Sequence, residues 1–156
     1  MIRKATYKDL HAIKDLLLSL QDEIGYGHVH VNEMCGMKAL NHLISSKLGL
    51  VLVAYDGDEL TAAIAASPID YWCSEKDYYV TDMLFVSKNP HASSRMIDLV
   101  EQWALGLNIH VVDVTLSISS GVDIERTGAF YERKGYQQIG ATYIKVLDHV
   151  ESRKVG

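Results

Sequence analysis

Between residues 50 and 67 the chain runs Leu50-Val51-Leu52-Val53-Ala54-Tyr55, turns at Asp56-Gly57-Asp58, and returns from Leu60 to Ser67 almost entirely in small apolar residues. Asp-Gly between two apolar runs is a hairpin signal, because glycine accepts the positive φ of a tight reversal. A sheet with one face in water would alternate apolar and polar residues along the return strand. This strand does not alternate, so both of its faces have to be covered. The fold must therefore be a sheet with a layer on either side.

The rest of the chain supplies those layers. Residues 2 to 5 read as a short opening strand. Thr6, with Asp9 three residues on, has the form of a capping box before a helix whose Leu10, Ile13, Leu17, Leu20 and Ile24 share one face. Gly25-Tyr26-Gly27 ends that helix, and a second helix is expected from about Met34 to Lys47, closed by Gly49. Residues 67 to 77, rich in aromatics, read as a loop or as an extension of the hairpin. A long strand follows over 78 to 86, then an amphipathic helix over about 93 to 107. After these come a strand from His110 to Ile118, a helix over about 124 to 134, and a terminal strand pair from Tyr136 to Leu147. In order this is β-α-α-β-β-β-α-β-α-β-β, a mixed α/β sheet with helices on both faces.

The chain has 156 residues, enough to bury a core without disulfides or metals. Two prolines, no Ser/Gly-rich linker and no internal repeat indicate one domain over residues 1–156. Fifteen Lys and Arg stand against twenty Asp and Glu, so there is no basic footprint for nucleic acid or for an anionic membrane. Cys35 and Cys73 lack metal or redox spacing and read as free thiols acting as small, buried or half-buried apolar residues. His28 and His30 form an i, i+2 pair without a convincing third ligand, so no metal site is expected. No run approaches about 18 apolar residues, and Met1 to Thr6 shows neither an h-region nor a cleavage site. A cytoplasmic protein is the expectation.

Two segments carry chemistry. Val86-Ser87-Lys88-Asn89-Pro90-His91-Ala92-Ser93-Ser94-Arg95-Met96 leads from a strand end to a helix N-terminus, where unpartnered N–H groups and the positive end of the macrodipole favour phosphate oxygens. The competing reading is an ordinary Ser-capped helix start. The second segment is Ala129-Phe130-Tyr131-Glu132-Arg133-Lys134-Gly135-Tyr136, in which Gly135 is placed to end a helix. Phe130 and Tyr131, being adjacent, point about 100° apart, so one can pack while the other reaches a cleft.

Together these segments resemble the GNAT superfamily of N-acetyltransferases, and the order of elements extends that resemblance over nearly the whole chain. The resemblance implies a mixed, mostly antiparallel central sheet flanked by helices on both faces. It implies acetyl-CoA as co-substrate, with its pantetheine arm along the strand at Leu84, Phe85 and Val86 and its pyrophosphate at the helix start. The family pattern Arg/Gln-x-x-Gly-x-Gly/Ala falls on His91, Ser94 and Met96, none of them the usual residue. His91, Ala92, Ser93, Ser94, Arg95 and Met96 are thus the candidate cofactor residues, with Arg95 able to supply charge.

The resemblance casts Tyr131 as the proton donor to the departing thiolate. It also puts Asp82 where the family often carries an acidic residue. An alkylammonium acceptor, with a pKa near about 10.4, needs a base. Among apolar and aromatic neighbours Asp82 can serve as that base, or can simply bond nearby backbone. His110, Asp113 and Glu23 are reserves. Acceptor recognition is expected from the first helices and the segment before the central strand, with Glu23, Tyr26, His28 and Trp72 as candidates. The implied activity is transfer of an acetyl group to a primary amine, on a small molecule or a protein, in a ternary complex. A homodimer is also implied. The alternative is a non-catalytic GNAT-fold module binding CoA or a protein partner, motivated by the missing glycines.

Overall fold

A computed structural model describes residues 1–20, 32–118, 123–143 and 145. Five strands form one open sheet in the order β1-β2-β3-β4-β5. They are β1 (Ile2–Lys4), β2 (Leu50–Asp56), β3 (Glu59–Asp70), β4 (Asp77–Ser87) and β5 (His110–Thr115). The pairs from β1 to β4 are antiparallel, and β4 pairs with β5 in parallel. The helices are α1 (Leu10–Ser19), entered through a 3-10 turn at Tyr7–Asp9, α2 (Glu33–Ser45), α3 (Pro90–Leu105) and α4 (Ile124–Arg133).

The β2–β3 hairpin turns at Gly57 with φ 58°, and both of its faces are covered. Val51, Val53, Ala63 and Ala65 pack with Leu10, Ile13, Leu16, Leu40 and Leu43 of α1 and α2. Leu52, Ala54, Ala62, Ile64 and Ala66 pack with Ala92, Met96, Val100 and Ala104 of α3. Alternate residues of one strand therefore feed two cores. Small side chains in β3 let both layers approach the sheet closely.

At the sheet's far edge, β1, α1 and β2 are joined through one buried carboxylate. Asp9, 3% exposed, accepts two hydrogen bonds from the Arg3 guanidinium (2.7 and 2.8 Å), one from Tyr55 Oη (2.8 Å) and one from the Thr6 N–H (2.7 Å). The Arg3 fork foremost, and the other donors against the opposing effect of burial, hold this carboxyl well below its ordinary 3.8. A group with a lowered folded pKa contributes its full stability above the ordinary value, and loses it as pH falls toward the folded one. We expect unfolding stability to decline below about pH 4, and Asp9→Asn to flatten that decline while costing about 2 kcal/mol at neutral pH. Urea titrations of both proteins across pH check this.

Three sequence expectations are corrected. The third helix starts at Pro90 rather than near 93, because Asn89 caps it and proline is suited to the first helical position. The terminal strand pair is absent from its described part, residues 136–143. There the Gln138 side chain donates to the Gly140 carbonyl (3.1 Å), a local bond competing with a ladder, and Gly140-Ala141 offers little to pack. Cys35 and Cys73 are both exposed free thiols rather than buried, one in the solvent-facing first turn of α2 and one in the β3–β4 connection. Of the two readings of the stretch after Ser67, the extension of the hairpin holds as far as Asp70, where β3 ends. The end of the first helix beyond residue 20, with Gly25-Tyr26-Gly27, lies outside the described residues. No described helix is long and apolar enough to cross a membrane.

Candidate active site

In β4, Leu84 pairs with Ala65 but Asp82 pairs with Ala66, so Met83 is one residue too many and the strand bulges there. The bulge resets the alternation of side chains. Val80 belongs to the core under α3, whereas Val86 belongs to the core under α1 and α2, although an even offset along the strand would put them on one face. Asp82 stays on the face of Val80 as a result.

At the same place β4 and β5 part. Their last pair is Thr81 with Thr115, and residues 82–87 of β4 have no partner in β5. Just past this fork the chain of β5 turns Ser117 toward Asp82. The Ser117 N–H donates to Asp82 Oδ1 (2.9 Å) and its hydroxyl lies 3.0 to 3.1 Å from both carboxylate oxygens. Burial raises the Asp82 pKa above its ordinary 3.8, and the Ser117 donors oppose the rise without cancelling it.

Tyr131 reaches the same serine from α4. Asp123 caps the start of this helix, accepting from the Arg126 N–H (2.9 Å). Its end is a Schellman motif: Gly135, at φ 90°, donates to the Glu132 carbonyl (2.9 Å), and the Tyr136 N–H reaches the Tyr131 carbonyl (3.1 Å). That turn packs the Tyr136 ring, tilted, against Tyr131 with ring centroids 5.9 Å apart, while Phe130 flanks it at 5.7 Å. Lys134 pairs with Asp98, and Tyr136 Oη donates to Glu101 (2.8 Å), so the end of α4 is tied to α3. Held this way Tyr131 is only 8% exposed, and its hydroxyl donates to the Ser117 carbonyl (3.1 Å). Burial first, and the Asp82 charge second, push its pKa far above 10.

The structure thus brings Asp82 and Tyr131 onto a shared partner, Ser117, which sequence reasoning did not single out. Ser117 follows the strand end, and its role depends on a backbone N–H and a carbonyl that every residue type carries. Replacing Ser117 with alanine removes the hydroxyl donor to Asp82 but keeps the N–H. Its expected effect is to raise the Asp82 pKa further, moving the acid limb of any Asp82-dependent activity to higher pH. A pH–rate profile of Ser117→Ala, with Ser117→Thr as the conservative control, reads this directly.

The other candidates are placed as follows. Leu84 and Val86 point into one core and Phe85 into the other, and none of the three pairs with β5. Ala92, Ser93 and Met96 are buried in α3, His91 and Arg95 are exposed, and the Ser94 carbonyl accepts from Lys134 Nζ (3.3 Å). Trp72, 94% exposed, sits in the β3–β4 connection that enters β4 at Asp77, about 16 Å of strand away from Asp82. The reserve residues His110 and Asp113 are engaged at that same end, His110 Nδ1 with Asp77 (2.8 Å) and Asp113 with the Tyr71 hydroxyl. Glu23, Tyr26 and His28 lie outside the described residues. A shallow groove between α3 and β5, lined by Glu101, Ala104 and Val111 among others, contains neither Asp82 nor Tyr131. Among the described residues no His, Cys, Asp or Glu cluster could hold a metal.

No family model matches the chain, and no curated protein matches it in sequence. Solved structures do match. A transcriptional regulator from Bacillus halodurans superposes with a TM-score of 0.68 at 18% identity, over 94% of this chain and 99% of its own. The aminoglycoside antibiotic 6'-N-acetyltransferase AAC(6')-IG from Acinetobacter haemolyticus gives 0.67 at 17%, over 95% and 99%. The enzyme AAC(6')-Ih from Acinetobacter baumannii gives 0.66 at 16%, over 95% and 97%. These likenesses give the chain, with its open mixed sheet, the fold of those solved structures, two of which are N-acetyltransferases.

Proposed function

We propose that this chain is a single-domain GNAT-type N-acetyltransferase that moves an acetyl group from acetyl-CoA to a primary amine, directly in a ternary complex. The observation that supports it most is the convergence of Asp82 and Tyr131 on Ser117 at the fork of β4 and β5. Asp82 takes the proton of the ammonium acceptor, a task for which its raised pKa suits it better than an ordinary surface aspartate. Tyr131 holds its proton throughout the neutral range and offers it to the departing sulfur. The two roles reinforce each other, because an Asp82 that has accepted a proton no longer opposes loss of the Tyr131 proton. The backbone of residues 84–87, which has no partner in β5, is suited to bond the amides of a pantetheine arm as a neighbouring strand would.

The acceptor is a small-molecule or protein amine, the chain's acidic balance giving no support to nucleic acid. Incubation with acetyl-CoA and a panel of aminoglycosides, polyamines and lysine peptides, followed by thiol release, tests the reading. Release that depends on an acceptor supports it, and none above spontaneous hydrolysis overturns it. A second reading, a non-catalytic GNAT-fold module for CoA or a protein partner, draws on the first turn of α3, where the backbone donors are already satisfied.

A further inference from the structure

The connection between β4 and α3 consists of Lys88 and Asn89 alone. A helix N-terminus attracts anions because its first N–H groups lack partners, and at α3 those groups are all accounted for. The Asn89 N–H donates to Ser87 Oγ (3.0 Å), and Pro90 has no N–H to offer. His91 and Ala92 both donate to Asn89 Oδ1 (3.1 Å each), and the Ser93 N–H bonds the Asn89 carbonyl (3.0 Å). That carbonyl also accepts from the hydroxyls of Ser87 (2.9 Å) and Ser93 (3.1 Å). The Lys88 N–H is spent on the Thr61 carbonyl of β3 (2.8 Å). Ala92 and Ser93 face the core, so neither their surface nor the Ser93 hydroxyl is presented outward.

Building on the acyl-transfer reading, we infer that Asn89 occupies the anion site at the head of α3. The acyl donor is therefore recognised by its pantetheine thioester end, while its diphosphate adds nothing to affinity. The exposed side chains of Lys88, His91 and Arg95 do not replace the lost amides. They are hydrated, and at physiological ionic strength exposed charges contribute little. The substrate class that follows is a thioester of pantetheine, whatever that arm is attached to.

Isothermal titration of the full chain with acetyl-CoA and with S-acetylpantetheine, at physiological salt, tests this. The two dissociation constants are expected to agree within about threefold, well short of the roughly tenfold or more that an open, partly buried helix terminus can contribute. Asn89→Gly opens the His91 and Ala92 amides while keeping a residue tolerated at this cap position. It is expected to bind acetyl-CoA about tenfold more tightly and S-acetylpantetheine unchanged. A melting curve like that of the parent shows that the helix start is intact. A wild-type preference for acetyl-CoA beyond that margin of about threefold overturns the inference and leaves the acyl-transfer reading standing, as does a glycine variant that gains nothing. If neither thioester binds the wild-type protein at millimolar concentration, the acyl-transfer reading itself falls, and this inference with it.

Discussion

Asp82→Asn is expected to lower kcat/KM for alkylamine acceptors by about a hundredfold to ten-thousandfold, the range associated with loss of a positioned general base. Asparagine has nearly the same shape and can still accept from the Ser117 N–H, so the fork between β4 and β5 should keep its geometry. Two further readings separate loss of a base from loss of structure. Acceptors of low basicity, neutral already at the assay pH, should be much less affected. In addition, removing the Asp82 charge should bring the Tyr131 pKa back down, visible as an earlier phenolate absorbance in an alkaline titration. In the wild-type protein the proposed activity should rise with pH through the raised Asp82 pKa, because a base works only when deprotonated. Equal turnover by wild type and variant with alkylamines would take Asp82 out of the mechanism.

Tyr131→Phe should reduce kcat by about a hundredfold with little change in donor affinity, since a proton given to a leaving group is an interaction of the transition state. The aryl packing against Phe130 and Tyr136 survives the substitution. Only the hydrogen bond to the Ser117 carbonyl is lost, which should cost about 1 kcal/mol of stability. Steady-state kinetics beside donor titrations distinguish the cases. A loss confined to KM would make Tyr131 a binding residue, and unchanged kcat would end its candidacy as proton donor.

Much of this arrangement was legible before any coordinates. The hairpin from Leu50 to Ser67 declared its two covered faces through composition alone. Gly135 declared the helix end that holds Tyr131, because a left-handed residue after a helix has few alternatives to glycine. Asn89-Pro90 was also legible as a cap followed by a first helical residue. Giving weight instead to the serines at 93 and 94 moved the helix start by a turn, and with it the supposed phosphate loop. Ser117 was not legible, since its part rests on backbone atoms brought near Asp82 by the parting of two strands. Nor was the lack of a strand over residues 136–143, where the sequence pattern suited one but the Gln138 side chain bonds the Gly140 carbonyl locally.

The bulge at Met83 gives the fork an unusual kind of fragility. The side on which Asp82 emerges depends on β4 having one more residue than β3 across that stretch. Loss of a single codon there would restore even pairing and turn the carboxylate to the other side, with every functional side chain still present in the sequence. The spacing between Val80 and Val86 is therefore as much a requirement of the site as the identity of Asp82. A comparison that scored only which residues are retained would overlook the change that disables it.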